Sequence, residues 1–335
     1  MSRHLSGTNR RRRWRKAPER EDLIVKLIII YAGVEDGPQV WPDGRSLPLQ
    51  RIAGSNVLGH VLNQMRDVQP DELVLVVDRD EETIAAWIRD IFPQLEAKII
   101  TAAPGTSPLQ ALVQCRDHFD KGPLLIALGS MVTEADYRGL GQSPADVTLF
   151  TQPPQWDKPL AAAAQDKTEP PWAGMCFFQR GTDLRSTLER AAAVHMTLSA
   201  LIADLPTLDL HIEKRLAALA LDTSTAAGLI YANARLLGLG YGSEDAIERS
   251  YVEDFTVIPP VFLHETAVIE NAVVGPFTNV EAGAMISSSV IRNSLIGAEA
   301  AVENVVLDGA LIGSRARVTA SGNAVVVQDD GEVAL

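Results

Sequence analysis

The stretch from Leu27 to Gly54, LIIIYAGVEDGPQVWPDGRSLPLQRIAG, holds the first residues whose types and order suit chemistry. An apolar run that breaks at Ala32-Gly33 is how a buried strand hands the chain to a nucleotide-binding loop, because glycine lets backbone N–H groups come close to a phosphate. A second run, Leu124 to Leu128, breaks in the same way at Gly129-Ser130. Cys115 and Cys176 stand in apolar surroundings without metal-ligand spacing. His195 and His211 have no acidic partner at metal spacing and read as ordinary residues. The acidic run Asp78-Arg79-Asp80-Glu81-Glu82 falls between a strand pattern and a helix pattern, where acids favour the helix dipole, and reads as a solvated cap.

These residues need a scaffold, and the apolar pattern supplies one. Leu23–Tyr31, Glu72–Val77, Ala97–Ile100, Leu124–Leu128, Val147–Phe150 and Gly174–Phe178 are short apolar runs suited to buried strands. Between them, Val57–Arg66, Glu81–Phe92 and Pro108–Phe119 space apolar residues at three and four. The succession is βαβ, which predicts a parallel sheet with helices on both faces and ligands beyond the strands' carboxyl ends, where Ala32-Gly33 and Gly129-Ser130 fall. Residues 185–238 read as helical, on Leu188, Ala191, Leu198, Leu201 and Ile202 and then Ile230, Tyr231, Leu236 and Leu237.

The period then changes. Apolar residues recur at Phe262, Val268, Val274, Val280 and Ile286, a step of six, and continue at five or six through Ile291, Ile296, Val302, Leu307, Ile312 and Val318. This is the hexapeptide signature of a parallel β-helix, with three hexads to a triangular coil. The expected organisation is a basic arm over 1–20, an α/β domain over 21–240 and a β-helix over 255–335.

Composition sets the outer bounds. The chain has 335 residues, 46% hydrophobic and 22% charged, an ordinary globular mixture with room for two cores. Its net charge of −13 hides an arm with eight basic residues, among them Arg10 to Arg13, Arg15 and Lys16, against one acid, Glu19. Such an arm could meet nucleic acid or an anionic membrane, but the expectation is a disordered start or a tail lying on its own acidic surface. No run of eighteen apolar residues and no secretory signal pattern is present, so no membrane partner and a reducing cytoplasm are expected.

At this point the sequence resembles a known family, the sugar-1-phosphate nucleotidylyltransferases, in particular the glucose-1-phosphate thymidylyltransferase-like type. The stretches SLPLQRIAGSNVLGHVLNQM, PGTSPLQAL, LALDTSTAAGLIYANARLL and AVIENAVVGPFTNV carry the resemblance, and the ending LIGSRARV…VVVQDDGEVAL fits it. The resemblance implies a Rossmann-like nucleotidyltransferase domain with a mixed, mostly parallel sheet, followed by a left-handed parallel β-helix. It implies attack of a sugar phosphate on a nucleoside triphosphate, with release of pyrophosphate and Mg²⁺ as cofactor. Catalysis of that kind rests on positioning and neutralising charge.

Part by part, this chain departs from the family's pattern. Where the family has Gly-x-Gly-Thr-Arg, the chain reads Val34-Glu35-Asp36-Gly37-Pro38 after Gly33. An acid close to a phosphate repels it by roughly 4 kcal/mol at an effective dielectric near 20. Leu47 stands at the place of a lysine and Ser130 at that of the first metal-binding aspartate, while Asp222 keeps the second. The resemblance places Ala32, Gly33, Gly105, Thr106, Gly129, Lys167 and Gly174 in the nucleotide and sugar cleft. Leu160-Ala161-Ala162-Ala163 and Trp172 replace further sugar-side residues, with Asp166-Lys167 at the position of a Glu-Lys pair.

The reading is therefore a catalytically impaired member, a pseudoenzyme that regulates, senses or scaffolds. It is expected to bind a nucleotide or sugar nucleotide and to pair with itself or an active paralogue through the β-helix. The alternative is an active enzyme with a rebuilt loop, using Gly37 and Arg45 for phosphate and Asp222 with Glu35, Asp36 or Asp43 for Mg²⁺. Acyl transfer on the β-helix is a third class, disfavoured because His264 is the only histidine there.

Overall fold

The computed structural model describes residues 25–31, 41, 44–66, 68, 70–153, 171–191, 197–242 and 255–320. The first unit is built on strands β1 (Lys26–Ile30), β4 (Glu72–Val77), β5 (Ala97–Thr101), β6 (Leu124–Leu128), β8 (Val147–Thr151), β9 (Trp172–Phe178) and β10 (Ile212–Leu216). Two short strands, β2 (Arg51–Ile52) and β3 (Ser55–Asn56), form a hairpin, and β7 (Met131–Glu134) pairs antiparallel with β11 (Leu219–Asp222). The helices are α1 (Val57–Gln64), α2 (Glu81–Ile91), α3 (Pro108–Gln114), α4 (Gly181–Ala191), α5 (Leu198–Asp204) and α6 (Ala226–Gly238).

The seven-stranded sheet runs β10-β8-β9-β6-β1-β4-β5. All of its pairs are parallel except the two made by β9, which is antiparallel to both β6 and β8. Alternation along β1 sends Leu27 and Ile29 to one face, with α1, α2 and α6, and Ile28 and Ile30 to the other, with α3, α4 and α5. That is why the central strands read as unbroken apolar runs. Local chemistry starts the helices: Asn56 accepts the amide of Gly59 at 2.7 Å before α1, and Ser107 with Gln110 forms a capping box before α3.

The expectation of continuous helix over 185–238 is overturned by β10 and β11. Ile212-Glu213-Lys214-Arg215-Leu216 pairs with β8 as an edge strand, its charges held by neighbours, as where Ser143 donates to Glu213 at 2.7 Å. The helical spacing had support only on either side of this stretch. The other runs read from the sequence fall on observed elements, with α3 ending at Gln114 and followed by a 3₁₀ turn, Arg116–His118, while the short strands β2, β3 and β7 had no counterpart in that pattern.

The second unit is a parallel β-helix of three stacked sheets. One contains β12 (Thr256–Val257), β15 (Val273–Val274), β18 (Val290–Arg292) and β21 (Val306–Asp308). The next contains β13 (Val261–Leu263), β16 (Thr278–Val280), β19 (Leu295–Ile296) and β22 (Leu311–Ile312). The third contains β14 (Val268–Glu270), β17 (Met285–Ser287), β20 (Ala301–Glu303) and β23 (Arg317–Thr319). Val274, Val280, Ile286, Ile291, Ile296 and Val302 point inward and are buried, as the hexad series predicts. Its first two positions are corrected: Phe262 is half-buried on the outside and Val268 is exposed, while Val261, Leu263 and Ile269 fill the core. Apolar residues on both faces of these short strands hide the register, and a slip of one residue reverses every side chain.

The units share a core. Leu295 of β19 belongs to the main cluster of the α/β unit, and Phe262 and Leu311 pack against it.

Candidate functional site

The parallel strands β1, β4, β5 and β6 end at one edge, so the residues that follow them lie along it. Tyr31 follows β1, Asp78 follows β4, Gly105 and Thr106 follow β5, and Gly129 and Ser130 follow β6. The amide of Gly129 donates to the carbonyl of Ile30 at 2.7 Å, which holds the two central turns side by side. Gly174 lies in β9 at φ +77°, where a Cβ would come 2.5 Å from Met131 Cγ and 3.5 Å from Leu128 Cβ. It belongs to the same edge, at the irregularity in the pairing of β9 with β8. Ser130 and Asp222 are also brought together: Asp222 pairs with Met131, and both the amide and the hydroxyl of Thr223 donate to the carbonyl of Ser130 at 2.8 Å.

Of the sequence-predicted site residues, Gly129, Gly174 and the metal candidate Asp222 lie beside Ser130 or its neighbour Met131, while Gly105 and Thr106 follow β5, three strands away from β6 in the sheet. Ala32, Gly33 and Lys167 lie outside the described residues, as do Glu35, Asp36, Gly37, Asp43, Asp166, His195 and the basic arm. Arg45 is described and exposed, and lines a separate cleft between the two units, with Gln50, Arg51 and the coil residues Leu311 to Ser314.

The chemistry at this edge is weakly anionic and largely apolar. Leu47, at the lysine position, starts a short 3₁₀ turn with Pro48 and Leu49 and is 7% exposed, packed in the main core. Tyr31 is buried beside Gly129, with its hydroxyl lacking a hydrogen-bond partner among the described residues, and burial pushes the phenol well above its usual range. Asp222 is exposed, and its Oδ1 accepts the amide of Ser224 at 2.8 Å ahead of α6. Among the described residues no three His, Cys, Asp or Glu side chains gather as a metal-binding group.

The acidic run behaves as structure. Asp78 pairs with Arg79 at 3.1 Å, Glu81 and Glu82 fill the first turn of α2, and Asp80 accepts the amide of Ser46 at 2.8 Å. Asp80 holds the cap position at φ +60° without capping the helix through its own side chain. His211 is exposed, with Nδ1 3.3 Å from the carbonyl of Pro144. Cys115 and Cys176 are free and buried, and burial pushes the Cys115 thiol up to about 12 and that of Cys176 further.

What the sequence reading missed is the polar clasp beside this edge. Asn233 of α6 accepts the amide of Ala53 at 2.9 Å and donates to the carbonyl of Phe277 at 2.9 Å. Asn279 accepts the amide of Gly54 at 3.0 Å and donates to Glu281 at 2.8 Å. Glu281 Oε2 lies 2.7 Å from Arg51 Nε, a charge contact in which the N–H is not aligned. The Ile52-Ala53-Gly54 turn therefore joins the two units. A signal was present: Asn233 interrupts the buried stripe Leu229, Ala232, Leu236 and Leu237.

Comparison with known proteins agrees with the fold. The chain is similar in structure to a Bacillus anthracis protein described as a glucose-1-phosphate thymidylyltransferase, solved in complex with a sucrose. The TM-score is 0.50 at 13% identity, covering 63% of this chain and 94% of that one. No family model matches the sequence, and no curated protein matches it. The chain has a nucleotidyltransferase-like α/β fold followed by a parallel β-helix.

Proposed function

We propose that this chain binds a nucleotide or sugar nucleotide at the carboxyl edge of its sheet. In this reading, transfer of a nucleotidyl group to a sugar 1-phosphate is weak or absent, and the protein works as a regulatory, sensing or scaffold homologue. The observation that carries the reading is Leu47, which sits in the core where the family's pattern puts a phosphate-neutralising lysine. A buried leucine leaves the negative charge of the transition state unopposed on that side, and each 1.36 kcal/mol lost is about a factor of ten in rate.

The donor set does not fit Mg²⁺ on the family's plan. Ser130 offers a neutral hydroxyl, and Asp222 is the one carboxylate of the expected pair. A hard cation needs more anionic oxygen than this. The residues at the edge would instead position a ligand: the turns at Gly105 and Gly129 present backbone, and Asp222 presents a hydrogen-bond acceptor.

Partners fit the β-helix sides. Val273, Val290 and Val306 stack in register on one outer face, with Val290 40% and Val306 76% exposed. We propose a homo-oligomer, or a complex with an active paralogue, through this face. Val306→Asp is expected to lower the mass seen by light scattering; an unchanged mass would remove this face from consideration.

Pyrophosphate release with each nucleoside triphosphate and glucose or mannose 1-phosphate tests the main reading. Turnover within about a hundredfold of an active homologue would overturn impairment and favour the rebuilt-loop enzyme. No release, together with nucleotide or sugar-nucleotide binding by calorimetry that Gly105→Trp weakens, is the expected result.

A further inference from the structure

The sheet of the α/β unit has two outer strands, β10 on one side and β5 on the other. In β5 the even-numbered residues bond to β4, as the parallel register and the bond from the amide of Ala102 to the carbonyl of Val77 at 2.7 Å require. Ala97 and Ile99 therefore turn their N–H and C=O groups away from the sheet, and among the described residues no strand pairs with β5 on that side. A row of this kind is a template for another strand.

We propose that the occupant is β5 of a second copy of this chain, lying antiparallel and joining the two seven-stranded sheets edge to edge. The stretch Leu95-Glu96-Ala97-Lys98-Ile99 is its own complement about Ala97. Laid antiparallel on itself, it sets Ala97 against Ala97, and on both sides of the dyad Leu95 against Ile99 and Glu96 against Lys98. The faces agree. Leu95, Ala97 and Ile99 are half-buried against the core shared with α1, α2 and α6, and alternation puts Glu96 and Lys98, both exposed, on the opposite face. The backbone agrees as well: the two Ala97 residues exchange both of their bonds, and each Ile99 amide donates to the opposite Leu95 carbonyl. The amide of Leu95 is already given to the carbonyl of Phe92 at 2.9 Å and needs no partner across the dyad.

Charge complementarity selects both the strand and the register. Among the described residues neither Glu96 nor Lys98 has an oppositely charged partner, and Lys98 Nζ lies 3.3 Å from His118 Nε2 instead. Centring the pair on Glu96 or on Lys98 would oppose like charges, and centring it on Ile99 would leave both residues unmatched. The other outer strand, Ile212-Glu213-Lys214-Arg215-Leu216, centred in the same way, sets Lys214 against Lys214. Like charges directly opposite one another weaken a strand pair, so the self-pairing falls to β5. With the dyad normal to the sheet, the two carboxyl edges that carry the candidate sites face opposite ends of the dimer.

Sedimentation equilibrium on the full chain carrying Val306→Asp tests the proposal with the valine face of the β-helix disabled. At about 100 μM protein, far above a micromolar Kd, the expected mass is twice the 36.2 kDa of one chain. Adding Glu96→Lys turns two attractions into two repulsions and is expected to weaken association at least about tenfold, and Glu96→Lys with Lys98→Glu to restore it. Adding Ala97→Pro instead keeps the ladder with β4, because the N–H it removes points outward at the first residue of an edge strand. It is expected to give single chains that melt close to the temperature of the parent. Single chains at every concentration before either change would overturn the proposal. A dimer that survives both Glu96→Lys and Ala97→Pro with its affinity unchanged would overturn it too, by assigning the contact to another surface.

Discussion

At the scale of single residues, the floor of the candidate site is set by one close approach. A Cβ on Gly129 would stand 2.4 Å from the ring of Tyr31, which is buried and cannot swing out. Gly129→Ala is therefore expected to cost about 1–3 kcal/mol by urea unfolding, the range for overpacking a core, and Tyr31→Leu in the same chain to recover most of it. Tyr31→Phe is expected to be neutral or stabilising, because the hydroxyl it removes is buried without a partner among the described residues. His60 gives a pH dependence of known sign. Its Nε2 lies 2.9 Å from the carbonyl of Ile52 and must carry the proton, Nδ1 is buried without a partner among the described residues, and burial lowers its pKa. The unfolded chain then binds more protons than the folded one once the pH falls below about 6.5, so stability drops from there towards the depressed value. His60→Gln is expected to flatten the stability profile between about pH 6.5 and 5 in thermal melts. A profile as steep as that of the parent would show that the slope belongs to other groups.

At the scale of elements, legibility followed burial on both faces. β1, β4 and β6 could be read from Leu27 to Ile30, Glu72 to Val77 and Leu124 to Leu128, because strands covered on two sides need unbroken apolar runs. β10 was lost because an edge strand such as Ile-Glu-Lys-Arg-Leu has no such need, and its identity comes from pairing with β8. The carboxyl-edge glycines were legible because each follows a buried run or occupies a resembling motif. The Asn279 and Glu281 contacts were not, since they depend on which coil faces the α/β unit. The β-helix was legible as a period but not in its first register, where β13 and β14 carry apolar residues on both sides. That register has a test. Ile269→Asp is expected to cost more than about 3 kcal/mol by burying an unpaired charge, whereas Val268→Asp stays within about 0.5 kcal/mol as a surface change. Equal costs at the two positions would sink the assignment.

At the scale of the molecule, the two units are coupled through few but demanding contacts. Asn233 is fully buried and satisfies one backbone group from each side, the amide of Ala53 in the α/β unit and the carbonyl of Phe277 in the coil. Gly54 beside it sits at φ +76°, with the Phe262 ring 2.7 Å from where a Cβ would be, so the turn admits the coil only as glycine. The clasp is linked to the candidate site through α6, which follows Asp222 and carries Asn233 about two turns after its start. Any signal between a ligand at that edge and a partner on the β-helix has this path available. Asn233→Ala removes both hydrogen bonds and leaves two buried backbone groups unpaired, at about 1–3 kcal/mol each. The intact protein is expected to melt in one calorimetric transition, and the variant in two, with the coil persisting to the higher temperature. If the variant instead melts in one transition within about 1 °C of the parent, a loss below about 1 kcal/mol, the units are held by their shared apolar core and the clasp serves only register.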